Sequence, residues 1–131
     1  MISPEIIKIA SDTTNYGIKK KSNYVASSKN RICGDRITVE VEISNNIIKK
    51  MYYETESCIF CEAAASLLSK IIKKNTIQEF LLLADSVKKE KIILVKKHQP
   101  FKKLFHYKYK KRINCVMLPF DALRKAISLT I

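Results

Sequence analysis

Several residue types and patterns are scarce or missing in this sequence. It has two glycines, three prolines and no tryptophan in 131 residues, and no stretch approaches the roughly 20 apolar residues that span a bilayer. Residues 1–5 lack the basic segment and apolar run of a secretory leader. No repeat or Gly/Ser-rich linker divides the chain, and 47% hydrophobic content is enough to bury a core. We therefore expect one domain over residues 1–131 of a cytoplasmic protein that does not bind membranes.

Acidic residues are also scarce, with 12 against 25 lysines and arginines, and the net charge is +13. Such a charge attracts acidic partners or nucleic acid. However, the lysines form short clusters scattered along the chain, and they do not make one stripe with stacking aromatics. Solvated faces explain this distribution better, so nucleic acid is not the expected partner.

The first half of the sequence predicts a small antiparallel sheet. Residues alternate strictly from Arg36 to Ile43, with Glu40 on the polar face, which indicates a half-buried strand. Asn45-Asn46 fits a tight turn, and β-prone residues from Ile47 to Tyr53 complete a hairpin. A third strand is predicted around Asn23 to Ser28, although its periodicity is weaker.

Helical patterns dominate the remainder. Short helices are expected at residues 3–11 and near Phe101 to Phe105, and a longer one follows Cys58 as far as Ile72. A capping box at Thr76 predicts another helix to about Val87, and Leu118-Pro119 is expected to open the last one. Strands followed by helices give an α+β fold with about three strands covered by several helices.

Four cysteines, at positions 33, 58, 61 and 115, are too few and too unevenly spaced for a disulfide framework. Cys33-Gly34-Asp35 falls in the turn before the best strand, Cys58 at the start of a helix, and Cys115 just before the last helix. Backbone amides at a helix start favour the thiolate by lowering the thiol pKa. Gly34 lets the chain bend so that its two neighbours can approach one ion. These positions favour metal or sulfur chemistry.

Three blocks of sequence resemble the U-type iron–sulfur cluster scaffolds, the family of NifU N-terminal domains, IscU and SufU. The first is Cys33-Gly34-Asp35 followed by the alternating strand. The second runs from Cys58 through the Ala-rich start of its helix to Ser66, and the third is Arg112 to Leu123 around Cys115. The blocks occur in the family's order and at similar separations, and they cover nearly the whole chain.

The resemblance implies the SufE/NifU (IscU-like) fold and a scaffold or carrier, not an enzyme. It implies that Cys33, Cys58 and Cys115 are thiolate ligands and that Asp35 is an oxygen ligand of a transient 2Fe-2S cluster. Cys115 or Cys58 would accept sulfur from a cysteine desulfurase, and acceptor proteins would take the finished cluster. A carboxylate is a poorly matched ligand for such clusters, so it could be the easier one to displace.

Two departures count against an IscU-like protein, and the Arg112-x-x-Cys115 arrangement and the long stretch between Cys58 and Cys115 look more like the SufU or NifU-like branches. IscU-like members have a histidine immediately before the third cysteine, where this chain has Asn114. The Leu-Pro-Pro-Val-Lys segment that binds an Hsp70-type chaperone is also missing from the sequence. A SufU-like protein would bind zinc and act as a sulfurtransferase that accepts persulfide sulfur, which is the main alternative.

Cys61 stands outside the family pattern, and we interpret it as a packed thiol. A Cys-x-x-Cys with Cys58 could instead belong to a four-thiolate zinc site or to a redox pair. The four-thiolate site would suit a zinc-stabilised, basic nucleic-acid-binding module, an alternative of another class. A degenerate relative that keeps only the fold is a further alternative. His98 and His106 lie in the lysine-rich connection and are expected at the surface.

Overall fold

The computed structural model describes residues 3–32, 34–88, 101–104 and 111–130. The described part of the chain has an α+β fold, as predicted. Its elements in chain order are α1 (Pro4–Ala10), β1 (Val25–Asn30), β2 (Asp35–Ser44), β3 (Ile47–Glu56), α2 (Ile59–Ile71), α3 (Ile77–Lys88), α4 (Phe101–Leu104) and α5 (Ile113–Ser128). His98 and His106, which were predicted to lie at the surface, fall outside the described residues.

The three strands form one antiparallel sheet in the order β1-β2-β3. Asn45 and Asn46 connect β2 to β3 with φ angles of 53° and 64°, the left-handed conformation that a tight hairpin turn needs. The predicted hairpin is therefore confirmed. The weakly periodic third strand also exists, shifted to Val25–Asn30.

One face of the sheet carries the helices. Ile37, Val39 and Val41 are fully buried on this face, where α5 packs against β1 and β2, and α2 packs against β3 and α5. The start of α2 is rich in alanine, and Ala63, Ala64 and Ala65 are all buried. Small side chains let α2 lie close to its neighbours, so the packing fixes where α2 begins relative to the end of the sheet.

The other face of the sheet carries a buried carboxylate. Glu40 lies on the polar face, as the alternation predicts, but it is 0% exposed because a preceding loop covers it. Its two oxygens accept four backbone N–H bonds at 2.6–3.1 Å, from Lys19, Lys20, Lys21 and Ser22. Burial would raise the Glu40 pKa, but the four backbone hydrogen bonds outweigh it and lower the pKa.

The last helix begins earlier than predicted. α5 starts at Ile113, and Pro119 lies inside it, so the expectation that Leu118-Pro119 opens the helix is wrong. Pro119 has no N–H to donate to the carbonyl of Cys115, a defect that costs about 3 kcal/mol in a helix interior. The helix tolerates this cost because Leu118, Pro119 and Phe120 are buried against the core. In the described ranges, no helix combines the length and apolar character needed to cross a membrane.

Candidate metal centre

Asp35 is the first residue of β2 and has a relative exposure of only 5%. The turn before it is closed by the Gly34 N–H, which donates to the Asn30 carbonyl at 2.8 Å. Gly34 has a φ of 74°, a conformation that a residue without a Cβ adopts without strain. Because side chains alternate along a strand, Asp35 shares the buried face with Ile37. Its carboxylate therefore points towards the helices.

Cys58 is the N-cap of α2, with extended backbone angles of −72° and 166°. Its own N–H donates to Asp35 Oδ1 at 3.1 Å, so the start of β2 is tied directly to the start of α2. The Cys58 side chain is half-buried. As predicted, this cysteine lies at the entry to the first long helix.

Cys115 is the third residue of α5 and is fully buried. It lies within the first turn of the helix, whereas the sequence placed it just before the helix. Since α5 packs against α2, the two cysteines meet. Ligand atoms of Asp35, Cys58 and Cys115 all lie within 4.8 Å of one another.

The electrostatics of Cys115 differ from the sequence-based expectation. Burial, the nearby Asp35 carboxylate and the Cys58 thiol together raise the pKa of Cys115 far above its ordinary value. The start of a helix was expected to lower it, and for Cys115 that expectation is wrong. Desolvation outweighs the effect of the helix dipole on the Cys115 pKa because the sulfur lies in the core, beside the Asp35 carboxylate.

Asp35 has an oxygen that its surroundings leave unsatisfied. Oδ1 accepts the Cys58 N–H, while Oδ2 is buried and has no hydrogen-bond partner in the described ranges. A buried polar atom without a partner costs about 1–3 kcal/mol. A metal ion bound by Oδ2 would remove that cost, so this orphaned atom fits a cation site.

The donor set also fits the expected chemistry. Two thiols and one carboxylate are ligands of zinc, and thiolates are the usual ligands of iron–sulfur clusters. Bond lengths of roughly 2.0–2.3 Å place the ligand atoms of a tetrahedral zinc site about 3.3–3.8 Å apart. The observed separations, up to 4.8 Å, need only a small contraction to reach this range.

The structure separates Cys61 from this group. Cys61 is fully buried in α2, with its sulfur 3.9 Å from Thr55 Oγ1. Burial raises its pKa to about 11. Cys33, the remaining predicted ligand, lies outside the described residues, so its place in the site stays a prediction.

An open cavity of about 220 Å³ adjoins Asp35. The side chains around it include three cations, Lys29, Arg31 and Arg36. No sequence-based prediction singled out this cluster. Their spacing around Cys33-Gly34-Asp35 was the available signal.

Comparisons with known proteins find related sequences. Residues 1–129 match the family model of the NifU-like N-terminal domain. The iron–sulfur cluster assembly scaffold protein IscU 1 of Archaeoglobus fulgidus is 24% identical over 97% of this chain and 74% of its own length. The IscU scaffold of Thermotoga maritima is 26% identical over 68% of this chain and 63% of its own length.

Solved structures share the fold. A NifU-like protein (N-terminal) from Brucella abortus superposes with a TM-score of 0.83, at 20% identity, over 96% of this chain and 91% of that one. SufU from Fervidobacterium islandicum AW-1 gives a TM-score of 0.76, at 20% identity, over 93% of both chains. NifU-like, IscU and SufU proteins all match, so the preference for the SufU or NifU-like branches stays a prediction. The chain belongs to the NifU-like N-terminal domain family, the U-type scaffolds that its three sequence blocks resemble.

Proposed function

We propose that this protein is an iron–sulfur cluster assembly scaffold. It receives sulfur from a cysteine desulfurase, holds a transient 2Fe-2S cluster at Cys33, Asp35, Cys58 and Cys115, and passes the cluster to acceptor proteins. The observation that carries the proposal is the convergence of Asp35, Cys58 and Cys115, whose ligand atoms lie within 4.8 Å of one another. Membership of the family supports it.

The mixed donor set suits a carrier. Thiolates hold iron–sulfur clusters firmly, and a carboxylate is a harder ligand that exchanges more easily. Oδ1 of Asp35 is anchored by the Cys58 N–H, while Oδ2 is left to bind the cargo. The bond between Asp35 and the cluster can therefore break first, while the cysteines remain bound to it. This is binding and transfer, not enzymatic turnover.

Of the two candidate sulfur acceptors, we propose Cys58. An acceptor thiol must be reached by the sulfur donor and must form a thiolate. Cys58 is half-buried at the N-terminus of α2, whereas Cys115 is fully buried and has a raised pKa, which disfavours its thiolate. Cys58 therefore receives the sulfur, and Cys115 serves as a ligand. The described cysteines are free thiols, which suits a reducing compartment such as the cytoplasm.

A zinc-binding sulfurtransferase is the second candidate, and the orphaned Asp35 Oδ2 favours it as much as it favours a cluster. Zinc accepts carboxylate oxygen readily alongside cysteine sulfur. The nucleic-acid-binding alternative has less support. It requires Cys61 as a ligand, but Cys61 lies outside the ligand group of the described residues.

Cluster transfer to an apo-ferredoxin tests the proposed function. The protein is incubated anaerobically with iron, cysteine and a cysteine desulfurase, and the apo-ferredoxin is then added. We expect holo-ferredoxin, followed by its circular dichroism, to form with the wild type and with Cys61→Ala, but not with Cys58→Ser. If Cys58→Ser supports transfer at the wild-type rate, the proposed function is wrong.

A further inference from the structure

Cys61 is a buried thiol that the candidate metal centre does not use. It lies in the first turn of α2, which the Glu62 N–H closes by donating to the Cys58 carbonyl at 3.1 Å. Cys58 is the N-cap of this helix, and within the described ranges its sulfur makes no capping hydrogen bond. The side chains of an N-cap residue and of the residue three positions later are neighbours that reach towards one another. Cys58 and Cys61 therefore form a Cys-x-x-Cys pair at the start of a helix.

Two hydroxyl groups lie beside the Cys61 sulfur. Thr55 Oγ1 is 3.9 Å from this sulfur and 2.6 Å from Ser57 Oγ. Burial raises the pKa of Cys61 to about 11, the Ser57 and Thr55 hydroxyls oppose the rise, and negative charge on Asp35 or Cys58 adds to it. The Cys61 sulfur therefore lies close enough to the metal centre to interact with its charges, although it is not part of the ligand group.

Only a small movement separates the two cysteines from a disulfide. Residues three apart on a helix have Cβ atoms about 5–6 Å apart, and a disulfide needs about 3.5–4.5 Å. A shift of about 1–2 Å therefore closes the gap. Cys-x-x-Cys pairs of this kind are the reactive groups of thiol–disulfide oxidoreductases.

A second thiol next to the sulfur acceptor meets a chemical need. A desulfurase delivers sulfur as a persulfide, whose terminal sulfur is two electrons more oxidised than the sulfide of a cluster. Two electrons must be supplied before this sulfur can join iron. A thiol that reacts with the persulfide can supply them, and Cys61 lies outside the ligand group of the described residues.

We propose that Cys61 releases the sulfur carried by Cys58 as sulfide. This inference rests on the proposed function, in which Cys58 receives the sulfur. The Cys61 sulfur attacks Sγ of the Cys58 persulfide, a bond between the two cysteine sulfurs forms, and the bond from Sγ to the terminal sulfur breaks. The terminal sulfur gains two electrons and leaves as hydrosulfide, which takes up the proton of Cys61, while the two cysteines become a disulfide. A dithiol reductant of the thioredoxin class then restores both thiols, and Cys58 is again available as a ligand.

The surroundings of Cys61 suit this role. A thiolate of high pKa is present in a small amount but is a strong nucleophile, and hydrosulfide leaves more readily than an alkyl thiolate because its conjugate acid has a lower pKa. Since Cys61 is fully buried, its neighbour Cys58 can reach it, whereas persulfides and oxidants in solution cannot. The sulfide is released beside Asp35 and Cys115, where the proposed cluster forms.

A single turnover without free thiol tests this reaction. The full-length protein is reduced, freed of small thiols and incubated anaerobically, without iron, with a cysteine desulfurase and one equivalent of cysteine. Free sulfide, the intact protein mass and the crosslinked peptides are measured, and desulfurase alone gives the background. Cys61→Ala is compared with Ser66→Ala, a matched loss of one polar atom at another buried position of α2 that keeps both cysteines.

In the wild type and in Ser66→Ala we expect about one sulfide per loaded chain, a protein lighter by two hydrogen atoms, and a crosslink between Cys58 and Cys61. Cys61→Ala should keep one added sulfur atom on Cys58, which also shows that the variant is folded, and should release sulfide at least about tenfold more slowly until a thiol is added. The cluster-transfer experiment supplies free cysteine, a thiol that itself reduces persulfides, so Cys61→Ala remains active there.

Equal sulfide release by Cys61→Ala and the wild type overturns the inference, and so does wild-type protein that keeps the added sulfur on Cys58 or carries it on Cys61. If the desulfurase loads no sulfur onto Cys58 of any variant, the sulfur-receiving step of the proposed function is wrong. Cys58 is then loaded with inorganic polysulfide, and the excess is removed. Sulfide release with a Cys58–Cys61 crosslink would still support the inference, and a stable persulfide on Cys58 would overturn it.

Discussion

Replacing Asp35 by asparagine separates the structural role of this carboxylate from its role towards a metal. The asparagine side chain would keep an oxygen to accept the Cys58 N–H, which Oδ1 now accepts at 3.1 Å. It would replace Oδ2, which is buried without a hydrogen-bond partner among the described residues, by an amide nitrogen that does not bind metal ions. The substitution therefore removes a candidate ligand and preserves the link between β2 and α2.

The metal-free protein should be affected only slightly. Loss of charge on Asp35 weakens its hydrogen bond by about 1 kcal/mol, and the amide nitrogen that takes the place of Oδ2 is itself a buried polar group, so the cost of an unpaired group at this position stays about the same. The free energy of unfolding should therefore change by no more than about 1–2 kcal/mol. Loss of a ligand should reduce zinc affinity by about 100-fold, the upper end of what removal of a group supporting a metal site costs. At a fixed zinc concentration well above the dissociation constants of both proteins, a 100-fold lower affinity reduces the stabilisation by bound zinc by about 2.7 kcal/mol.

Thermal unfolding with and without zinc, under anaerobic conditions, measures both quantities. For a chain of this size, a loss of about 2.7 kcal/mol corresponds to a zinc-induced rise in melting temperature that is smaller by about 10 °C. Asp85→Asn is the matched control, because Asp85 forms an exposed ion pair with Arg124 at 2.8 Å, and such pairs contribute at most about 1 kcal/mol. The control should keep the full zinc-induced rise.

Two results would refute this reasoning. If Asp35→Asn shows the same zinc-induced rise as the wild type, Asp35 is not a ligand. If the metal-free variant loses more than about 3 kcal/mol, the Asp35 carboxylate is chiefly structural, since this loss exceeds the whole strength of one charged hydrogen bond.

Three further predictions concern other buried groups. Glu40→Gln should cost about 2–4 kcal/mol in urea unfolding, because an amide nitrogen would face backbone N–H donors. Because the Glu40 pKa is lowered in the folded protein, the ionised carboxylate stabilises the fold at pH values above its unfolded pKa of about 4.3, and this stabilisation is lost as the pH falls. Glutamine does not titrate, so the stability of Glu40→Gln should decline less steeply in acid than that of the wild type. The raised Cys115 pKa means that zinc must displace a proton, and apparent zinc affinity should rise about tenfold per pH unit for each proton released; a flat profile would contradict this. Cys61→Ala should lower stability by about 1–2 kcal/mol and leave zinc affinity within about twofold, whereas a large loss of affinity would support the four-thiolate alternative.

Features fixed by local sequence were predictable. Strict alternation from Arg36 to Ile43 and the Asn45-Asn46 turn define the hairpin without reference to the rest of the chain. The start of α5 was predicted wrongly because proline is common in the first turn of a helix. Pro119 lies inside α5 instead, and only the packing of the surrounding residues shows that the helix tolerates it there.

The meeting of three candidate side chains was predictable, and their electrostatics were not; that these residues and Cys33 act as ligands stays a prediction. The order of the sequence blocks indicated that Asp35, Cys58 and Cys115 come together, and their ligand atoms do converge. Helix position alone predicted a lowered pKa for Cys115, and only the packing of α5 against α2 shows the burial that raises it.

Metal, sulfide and absorption analysis of the anaerobically reconstituted protein tests the central claim most directly. We predict brown protein with about two iron and two sulfide per site and visible charge-transfer absorption. Cys115→Ser should abolish these signals, and Cys61→Ala should retain them. Colourless wild-type protein with bound zinc and no iron would contradict the cluster-scaffold account and establish the zinc alternative in its place.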